Sequence, residues 1–184
     1  MIDAGFRWIS SKIKSDFVVK VDSDSVVHID RLHRKLLIAN VMNMWNHWFV
    51  CYNAHESPLI RDRYSKWYVP ESDYAPAYYP RYCIGAGYAM KRDTFEAIVE
   101  RMGKHKVFEI EDAFLTGVVA EDLGKVAYVQ RAVAREYTIF SDCNANGELS
   151  LSITEGQFRH YGGYGTNLAA AWRMLKQQYC NQGW

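Results

Sequence analysis

The sequence lacks the features that mark a membrane-spanning, nucleic-acid-binding or zinc-binding chain. No hydrophobic run reaches the length of a membrane span, and the N-terminal segment has no apolar region of a secretory signal. The 22 basic and 21 acidic residues leave a net charge of +1, which offers no basic surface to nucleic acid. The four cysteines, Cys51, Cys83, Cys143 and Cys180, fit no zinc spacing, so they are buried thiols or members of up to two disulfides.

The bulk composition is that of one globular domain. The 184 residues suffice for a single hydrophobic core, and 49% of them are hydrophobic, so we expect one domain over residues 1–184. The first residues have the pattern of a helix end, which predicts that an N-terminal part of this domain is missing. Aromatic residues make up 15% of the chain. Such rings fill cores and also stack on sugars, so composition leaves both roles open.

Hydrophobic periodicity predicts alternating strands and helices, the pattern of an α/β domain. The predicted strands are Phe17–Val21, Trp48–Tyr52, Cys83–Met90, Val126–Val129 and Glu136–Phe140. The predicted helices are Phe6–Ile13, a helix capped by Asp30 and running to Asn40, Asp93–Met102, Glu111–Leu123 closed by Gly124, and Thr166–Tyr179. All four prolines lie between Tyr52 and Cys83, which predicts an aromatic loop platform there.

The strongest local signal is the triplet Asp22–Ser23–Asp24, which directly follows the β-branched run Phe17–Val21. Ligands of open α/β sheets bind outside the carboxyl ends of strands, and paired carboxylates suit a hard ion, Mg²⁺ or Mn²⁺. Read on to Val26, the same residues match the D-x-D-x-V nucleophile strand of haloacid-dehalogenase-type phosphatases, which form an aspartyl-phosphate. A solvated turn before the next helix is a third interpretation.

Further segments of the sequence also carry candidate functional side chains. Glu111–Asp112 open a predicted helix, where they satisfy the helix dipole or, for Asp112, provide a general base for an acceptor hydroxyl. His160 is either a structural histidine or a ligand for a Mn²⁺-type ion. The aromatic segments Lys66–Val69 and Tyr78–Tyr82 either fill the core or form a sugar-binding wall, and the glycines of Cys83–Met90 mark a close approach of backbone or ligand.

Taken in order, these segments resemble the β-1,3-galactosyltransferase family, which includes β-1,3-N-acetylglucosaminyltransferases and is related to the Fringe proteins. The resemblance runs nearly from end to end in five blocks. The blocks are Phe6–Ile9 with Phe17–Asp24 (W…K-x-D-D-D), Lys66–Val69 (K-W-Y-V), Tyr79–Tyr88 (Y-P-x-Y-C-x-G-x-G-Y), Glu111–Gly117 (E-D-V-x-x-G) and His160 with Trp172 (H…W). Five blocks in the family's order are far more specific than any one of them.

The resemblance implies a GT-A-like fold, with a mixed central sheet flanked by helices, and an inverting transferase that uses a UDP-sugar with Mn²⁺ or Mg²⁺. Asp24 would be the main metal ligand, Asp22 would hold both metal and nucleotide, and His160 would be a further ligand. Asp112 would take the proton from the 3-hydroxyl of the acceptor. The other residues expected to bind donor or acceptor are Lys20, Ser23, Trp67, Tyr82, Gly85, Ala86, Gly87 and Glu111.

The sequence departs from the family pattern in three ways. Ile13 stands where many members of the family have a cysteine, so the resemblance implies that a family disulfide is lost. Ser23 replaces the central aspartate of D-D-D, which preserves the D-x-D pair. The family's tail, membrane anchor, stem and first strands are absent, so the resemblance implies an N-terminally truncated domain of what is, at full length, a type II membrane protein of the Golgi lumen.

The expected donor is UDP-galactose or UDP-N-acetylglucosamine, and the expected acceptor is a glycan on a glycoprotein or glycolipid. Two alternatives remain. One is an inactive relative that only binds glycans or partners. The other is the phosphohydrolase, which accounts for one motif and leaves the K-W-Y-V and C-x-G-x-G-Y blocks unexplained.

Overall fold

The structure, a computed structural model, describes residues 2–42, 45–51, 54–84, 87–130, 152–154 and 168–177. The helices are α1 (Ile2–Lys12), α2 (Ile29–Met42), α3 (Arg92–Arg101), α4 (Glu111–Ala113), α5 (Val119–Glu121) and α6 (Leu168–Gln177). A 3₁₀ turn (Met102–Lys104) follows α3, and a π-helical segment (Phe114–Val118) joins α4 to α5. The strands are β1 (Phe17–Val21), β2 (Ser25–Val27), β3 (His47–Cys51), β4 (Ala54–Pro58), β5 (Tyr78–Cys83), β6 (Gly87–Lys91), β7 (Val126–Gln130) and β8 (Ser152–Thr154).

The central sheet has four strands in the order β1-β6-β3-β7. β6 is antiparallel to both β1 and β3, and β3 is parallel to β7. It follows that β1, β3 and β7 run in one direction, so their carboxyl ends share one edge of the sheet with the start of β6. This arrangement confirms the predicted α/β class with a mixed sheet and helices; the finer GT-A assignment stays a prediction.

Alternating side chains of the central strands face two apolar clusters. On one face, Trp48, Val50 and Ala89 pack with Leu32 and Leu36 of α2. On the other face lies a larger cluster, to which β3 and β6 contribute Phe49, Cys51, Tyr88 and Met90 and helix α3 contributes Phe95 and Ile98. The sheet therefore lies between α2 and a second helical layer. Within the residues described, no helix combines the length and the apolar character that crossing a bilayer requires.

The predicted aromatic loop platform was wrong in part, because Pro58 and Pro80 belong to a two-stranded sheet formed by β4 and β5. The pairing shifts register between His55 and Ser57, and Tyr79 and Tyr82 are the paired residues on either side of Pro80. A bulge of this kind tolerates Pro80, because the ladder is interrupted there and needs no hydrogen bond from the N–H that proline lacks. The remaining loop, residues 59–77, lies between these strands.

Several helix and strand boundaries differ from those predicted. Helix α2 begins at Ile29, and the His28 carbonyl accepts the Leu32 N–H, so Asp30 lies in the first turn and is not the N-cap. The predicted strand Cys83–Met90 is the end of β5 and the start of β6, which belong to different sheets. Gly124, with φ +74°, does end the helical segment 111–121. The predicted strand Glu136–Phe140 lies outside the described residues.

Candidate active site

The D-x-D residues lie where the sequence places them, in the turn directly after β1. The Ser25 N–H donates to the Asp22 carbonyl at 3.1 Å, and the Ser25 hydroxyl donates to Oδ1 of Asp24 at 3.4 Å. Asp22, Ser23 and Asp24 are all exposed at this edge of the central sheet. Two solvent-facing carboxylates therefore extend beyond the carboxyl end of a strand, the position at which α/β sheets bind ligands.

Lys20 connects this strand end to the E-D motif. Its Nζ lies 2.5 Å from Oδ1 of Asp22 and 3.1 Å from Oε2 of Glu111. Burial lowers the pKa of Lys20, but the hydrogen bond to Asp22 and the charge of Glu111 outweigh burial and raise the pKa above its usual value. Lys20 is therefore a cation at neutral pH, held between two carboxylates from separate motifs.

Gly87 permits the close approach of β6 to β1. A Cβ at this position would lie 3.2 Å from the Lys20 carbonyl oxygen, which is a backbone atom and cannot swing aside. The prediction that this glycine marks a close backbone approach is confirmed. Gly85 and Ala86 lie outside the described residues.

Asp112 is held at the first turn of the helical segment 111–121. Its Oδ1 accepts the Ala113 N–H at 2.9 Å, and its carbonyl accepts the Thr116 hydroxyl at 2.6 Å. The Thr116 oxygen also accepts the Cys83 N–H at 2.9 Å, which ties the helical segment to β5. Asp112 is half-buried, so its carboxylate combines a fixed backbone with partial access to solvent.

The charge of Asp112 reaches the tyrosines of β5. Burial, then the neighbouring Tyr82, raises the pKa of Tyr79 to about 12, with a smaller contribution from Asp112. Burial also raises the pKa of Tyr82, and the Asp112 charge adds to it. Tyr82 itself is 9% exposed, and its hydroxyl lies 3.1 Å from the Ser57 hydroxyl. The structure places Tyr82 behind the candidate base, in the aromatic cluster.

Trp67 lies on the loop 59–77 with half of its surface exposed. Its backbone N–H donates to the Ser65 hydroxyl at 3.1 Å, and Lys66 Nζ lies 4.3 Å from the centroid of the indole ring. An exposed indole fixed by its backbone is suited to stacking on the apolar face of a sugar. Its role in acceptor binding stays a prediction.

The third predicted metal ligand, His160, lies outside the described residues, so its role beside Asp22 and Asp24 stays a prediction. Among the residues that are described, no three His, Cys, Asp or Glu side chains cluster as a metal site. Trp172, the closing member of the H…W block, lies on α6 and contacts His28, with 5.4 Å between ring centroids. This contact joins the end of the chain to the segment that follows the D-x-D turn.

A disulfide joins Cys51, at the end of β3, to Cys83, at the end of β5, with their Cα atoms 5.7 Å apart. The sequence left this pairing open. Because Cys83 also donates its N–H to Thr116, the disulfide lies directly behind the turn that carries Asp112. Cys143 and Cys180 lie outside the described residues.

Sequence reasoning missed two side chains that shape the site. In the sequence Tyr88 is only the last residue of the C-x-G-x-G-Y motif, yet its hydroxyl donates to Oε1 of Glu111. In the sequence Thr116 is only one position of the E-D block, yet it is fully buried and forms hydrogen bonds with both Asp112 and Cys83. A polar residue within the apolar run Ala113–Val119 was the signal that could have pointed to Thr116, since buried hydroxyls need partners.

The comparisons with known proteins agree on one family. The family model described as Galactosyltransferase matches residues 3–131. Beta-1,3-galactosyltransferase 1 from Mus musculus and from Homo sapiens is 34% identical over 121 residues, which cover 65% of this chain and 36% of the relative. UDP-GalNAc:beta-1,3-N-acetylgalactosaminyltransferase 1 from Homo sapiens is 30% identical over 111 residues, which cover 60% of this chain and 33% of the relative. The chain thus spans about a third of the length of these curated relatives.

The matched region accounts for most of the motifs at once. It contains four of the five blocks, from Phe6–Ile9 to Glu111–Gly117, and only the pair His160 and Trp172 lies beyond it. The phosphatase interpretation explains the Asp22–Asp24 pair alone. The family model covers more than half of the chain, and we conclude that this chain belongs to the galactosyltransferase family.

Proposed function

We propose that this protein is an inverting, metal-dependent hexosyltransferase. It moves galactose or N-acetylglucosamine from a UDP-sugar to the 3-hydroxyl of a glycan acceptor on a glycoprotein or glycolipid. Family membership supports the reaction class, and the names of the similar proteins describe β-1,3-transfer of galactose and of N-acetylgalactosamine by those proteins. The proposed location is the Golgi lumen, which the family resemblance implies.

One observation carries the proposal: Lys20 joins the D-x-D turn to the first turn of the E-D helix. Its ammonium group contacts Asp22 at 2.5 Å and Glu111 at 3.1 Å, and Asp112 directly follows Glu111. A transferase needs a donor site and a base for the acceptor at one location, because positioning of the two reactants supplies a large part of the rate. This arrangement supports such a location at the carboxyl edge of the central sheet.

The carboxylates of the D-x-D turn fit a hard divalent ion. Asp24 and Asp22 offer exposed oxygen ligands at a strand end, the ligand type that Mn²⁺ and Mg²⁺ prefer. In this proposal Asp24 is the main ligand, Asp22 holds metal and nucleotide, and His160 completes the set. The ion, when bound, stabilises negative charge on the departing diphosphate. The remaining residues proposed to shape the binding site for the sugar donor are Lys20, Ser23, Gly85, Ala86, Gly87 and Glu111.

Asp112 is the proposed general base. Its carboxylate takes the proton of the acceptor 3-hydroxyl, whose oxygen then bonds to the anomeric carbon as the bond to the UDP oxygen breaks. Attack from the face opposite UDP inverts the anomeric configuration in one step. Trp67 and Tyr82 form walls of the acceptor pocket, the first by direct stacking and the second from within the aromatic cluster.

The first experiment is calorimetry of UDP binding to the purified chain with and without Mn²⁺. We expect binding that needs Mn²⁺ and that Asp24→Ala removes, because that variant loses the main ligand. Asp93→Ala is a matched control, since Asp93 is an exposed carboxylate on α3 that pairs only with nearby Lys91 in the ion pairs described; it should bind as the wild type does. Unchanged Mn²⁺ affinity in Asp24→Ala would reject this ligand assignment. A folded wild-type chain without any UDP binding would favour the non-catalytic glycan-binding alternative.

The base is tested separately by Asp112→Asn. We expect transfer to fall by roughly 10²–10⁴-fold, the usual contribution of a general base, while the Kd for UDP with Mn²⁺ stays within about twofold, because the amide preserves the shape of the side chain. Radiolabelled sugar transfer and calorimetry on the same preparation provide the two values. Equal loss of binding and transfer would contradict the general-base assignment.

A further inference from the structure

Tyr88 is a buried phenol whose hydroxyl bonds a carboxylate of the candidate site. It is the second residue of β6 and is 2% exposed. Its hydroxyl donates a hydrogen bond to Oε1 of Glu111. Burial, and next the charge of Glu111, raises the pKa of Tyr88 well above its usual value, so the phenol retains the proton that it donates.

Glu111 receives donors from two neighbouring strands. Its Oε1 accepts from Tyr88 of β6, and its Oε2 lies 3.1 Å from Lys20 Nζ of β1. Lys20 and Tyr88 are paired across the β1–β6 register, so their side chains are on the same face of the sheet. The ammonium group also lies 5.8 Å from the centroid of the Tyr88 ring, within the range of a cation–π contact. Each oxygen of the Glu111 carboxylate thus has its own donor.

These contacts continue on both sides into proposed functional residues. On one side, Lys20 contacts Asp22 as well as Glu111, with its Nζ 2.5 Å from Oδ1 of Asp22. On the other side, Glu111 shares a peptide bond with Asp112, whose backbone the Thr116 hydroxyl holds. The series Tyr88, Glu111, Lys20 and Asp22 therefore links β6, the helical segment 111–121 and the end of β1.

Stability alone does not account for a network of this composition. The side chains of Lys20 and Glu111 are 19% and 20% exposed, so both charges are largely removed from water. Replacing a buried ion pair with apolar residues of similar size is often neutral or stabilising. A network whose members are all bonded does, however, restrict them to one arrangement. The network therefore contributes mainly by fixing the positions of its side chains.

We infer that Tyr88 is a positioning residue of the proposed transfer site: by holding Glu111, and through it Lys20, its hydroxyl sets the placement of Asp22 relative to Asp112. The inference rests on the proposed function. Tyr88 acts through Glu111 and bonds no substrate atom.

The test is Tyr88→Phe, which keeps the ring and removes the hydroxyl. We expect kcat for transfer to fall about tenfold, the scale of one charge-assisted hydrogen bond. The acceptor KM should stay within about threefold, because the substrate contacts remain. Glu111→Gln should lower kcat further. Adding Tyr88→Phe to Glu111→Gln should then change kcat by less than about twofold, because the hydroxyl acts through that carboxylate.

Tyr128→Phe is the matched control. The Tyr128 hydroxyl lies 2.8 Å from the Arg81 carbonyl oxygen and 2.7 Å from the Thr116 carbonyl oxygen, and its one proton is donated to either of them. Loss of this hydroxyl therefore removes a hydrogen bond outside the series Tyr88, Glu111, Lys20 and Asp22. We expect that variant to keep kcat within about twofold of wild type at a similar cost in unfolding free energy. Equal kcat losses in the two variants, or a full effect of Tyr88→Phe in the Glu111→Gln background, would overturn the inference.

The outcomes separate this inference from the proposed function. Normal transfer by the wild type with an unaffected Tyr88→Phe variant overturns the positioning role alone. A folded wild-type chain that neither binds UDP nor transfers sugar contradicts the proposed function, and the positioning role with it.

Discussion

Two glycines show how single residues bring the motifs of this site together. Gly87 lets the backbones of β6 and β1 meet, and Gly117 lets the helical segment 111–121 lie against β5. A Cβ at Gly117 would be 3.0 Å from Cβ of Tyr82 and 3.4 Å from Cγ of Pro80. Neither neighbour is the far end of a flexible side chain, so the helix itself would have to move. The glycine of the E-D-V-x-x-G block is thus explained by packing.

We predict that Gly117→Ala lowers the free energy of unfolding by about 1–3 kcal/mol, the usual cost of overpacking a core. Gly5→Ala on α1 is a matched control, because a Cβ there meets nothing within 4 Å. That substitution should be stabilising by about 0.5–1 kcal/mol, since alanine loses less backbone entropy in a helix. Urea unfolding of the two variants measures both. A neutral Gly117→Ala would show that the helix relaxes at no cost.

At the scale of elements, one arginine organises the loop 59–77. The Arg61 guanidinium donates to the carbonyls of Val69 at 2.6 Å, Tyr74 at 2.7 Å and Pro76 at 2.9 Å, with Ala75 at 3.4 Å. A planar group with five donors can satisfy converging carbonyls in this way, whereas an ammonium group acts as a point charge. The loop that carries Trp67 is therefore built around a single cation.

We predict that Arg61→Lys loosens this loop while Arg63→Lys, an exposed substitution of the same kind two residues away, does not. Hydrogen exchange of peptides from residues 61–76 should become at least about tenfold faster in Arg61→Lys, since two or three net hydrogen bonds of about 1 kcal/mol each are lost. Equal exchange in both variants would mean that the aromatic contacts alone hold the loop.

At the scale of the whole molecule, the disulfide joins the central sheet to the β4–β5 sheet. Cys51 ends β3 of one sheet and Cys83 ends β5 of the other, and the two cysteines are 32 positions apart in sequence. The Cys83 N–H then bonds Thr116, which bonds Asp112. A covalent link and two hydrogen bonds thus connect both sheets to the candidate base.

We predict that the double variant Cys51→Ser and Cys83→Ser loses roughly 3–4 kcal/mol of unfolding free energy, because closing a loop of this length restricts the unfolded chain. A reductant should lower the Tm of the wild type and leave the Tm of the double variant nearly unchanged. The double variant also controls for any response of Cys143 and Cys180. A wild-type Tm that reductant does not alter, with both cysteines demonstrably reduced, would contradict this stabilising role.

The part of the fold that the sequence predicts consists of features that depend on a few consecutive residues. The strand Phe17–Val21 was predicted at its observed bounds, because a β-branched run ending in three polar residues has one simple interpretation. Gly124 was correctly placed as a helix end. The sequence does not predict the β4–β5 pair, because its prolines mimic a loop. Pro80 is compatible with a strand because it lies at the bulge, and Pro58 because it is the last residue of β4.

The predictable part of the site was its residue types. Asp22, Asp24, Glu111 and Asp112 were all named from motif and position, and the structure brings Asp22 and Glu111 to the same lysine. Tyr88 was not named, since a tyrosine in an apolar strand has the pattern of a core residue. Its function as a donor depends on a carboxylate that is 23 residues away in sequence.

The sequence by itself determined the family, the strand that delivers the D-x-D turn and the acidic pair that opens the 111–121 segment, because each is a contiguous pattern of residue types. Only the tertiary structure decided that Cys51 pairs with Cys83, that Lys20 lies between Asp22 and Glu111, and that Tyr88 holds Glu111. These contacts depend on strand order and on the β1–β6 register, in which a shift of one residue would turn each side chain to the other face of the sheet.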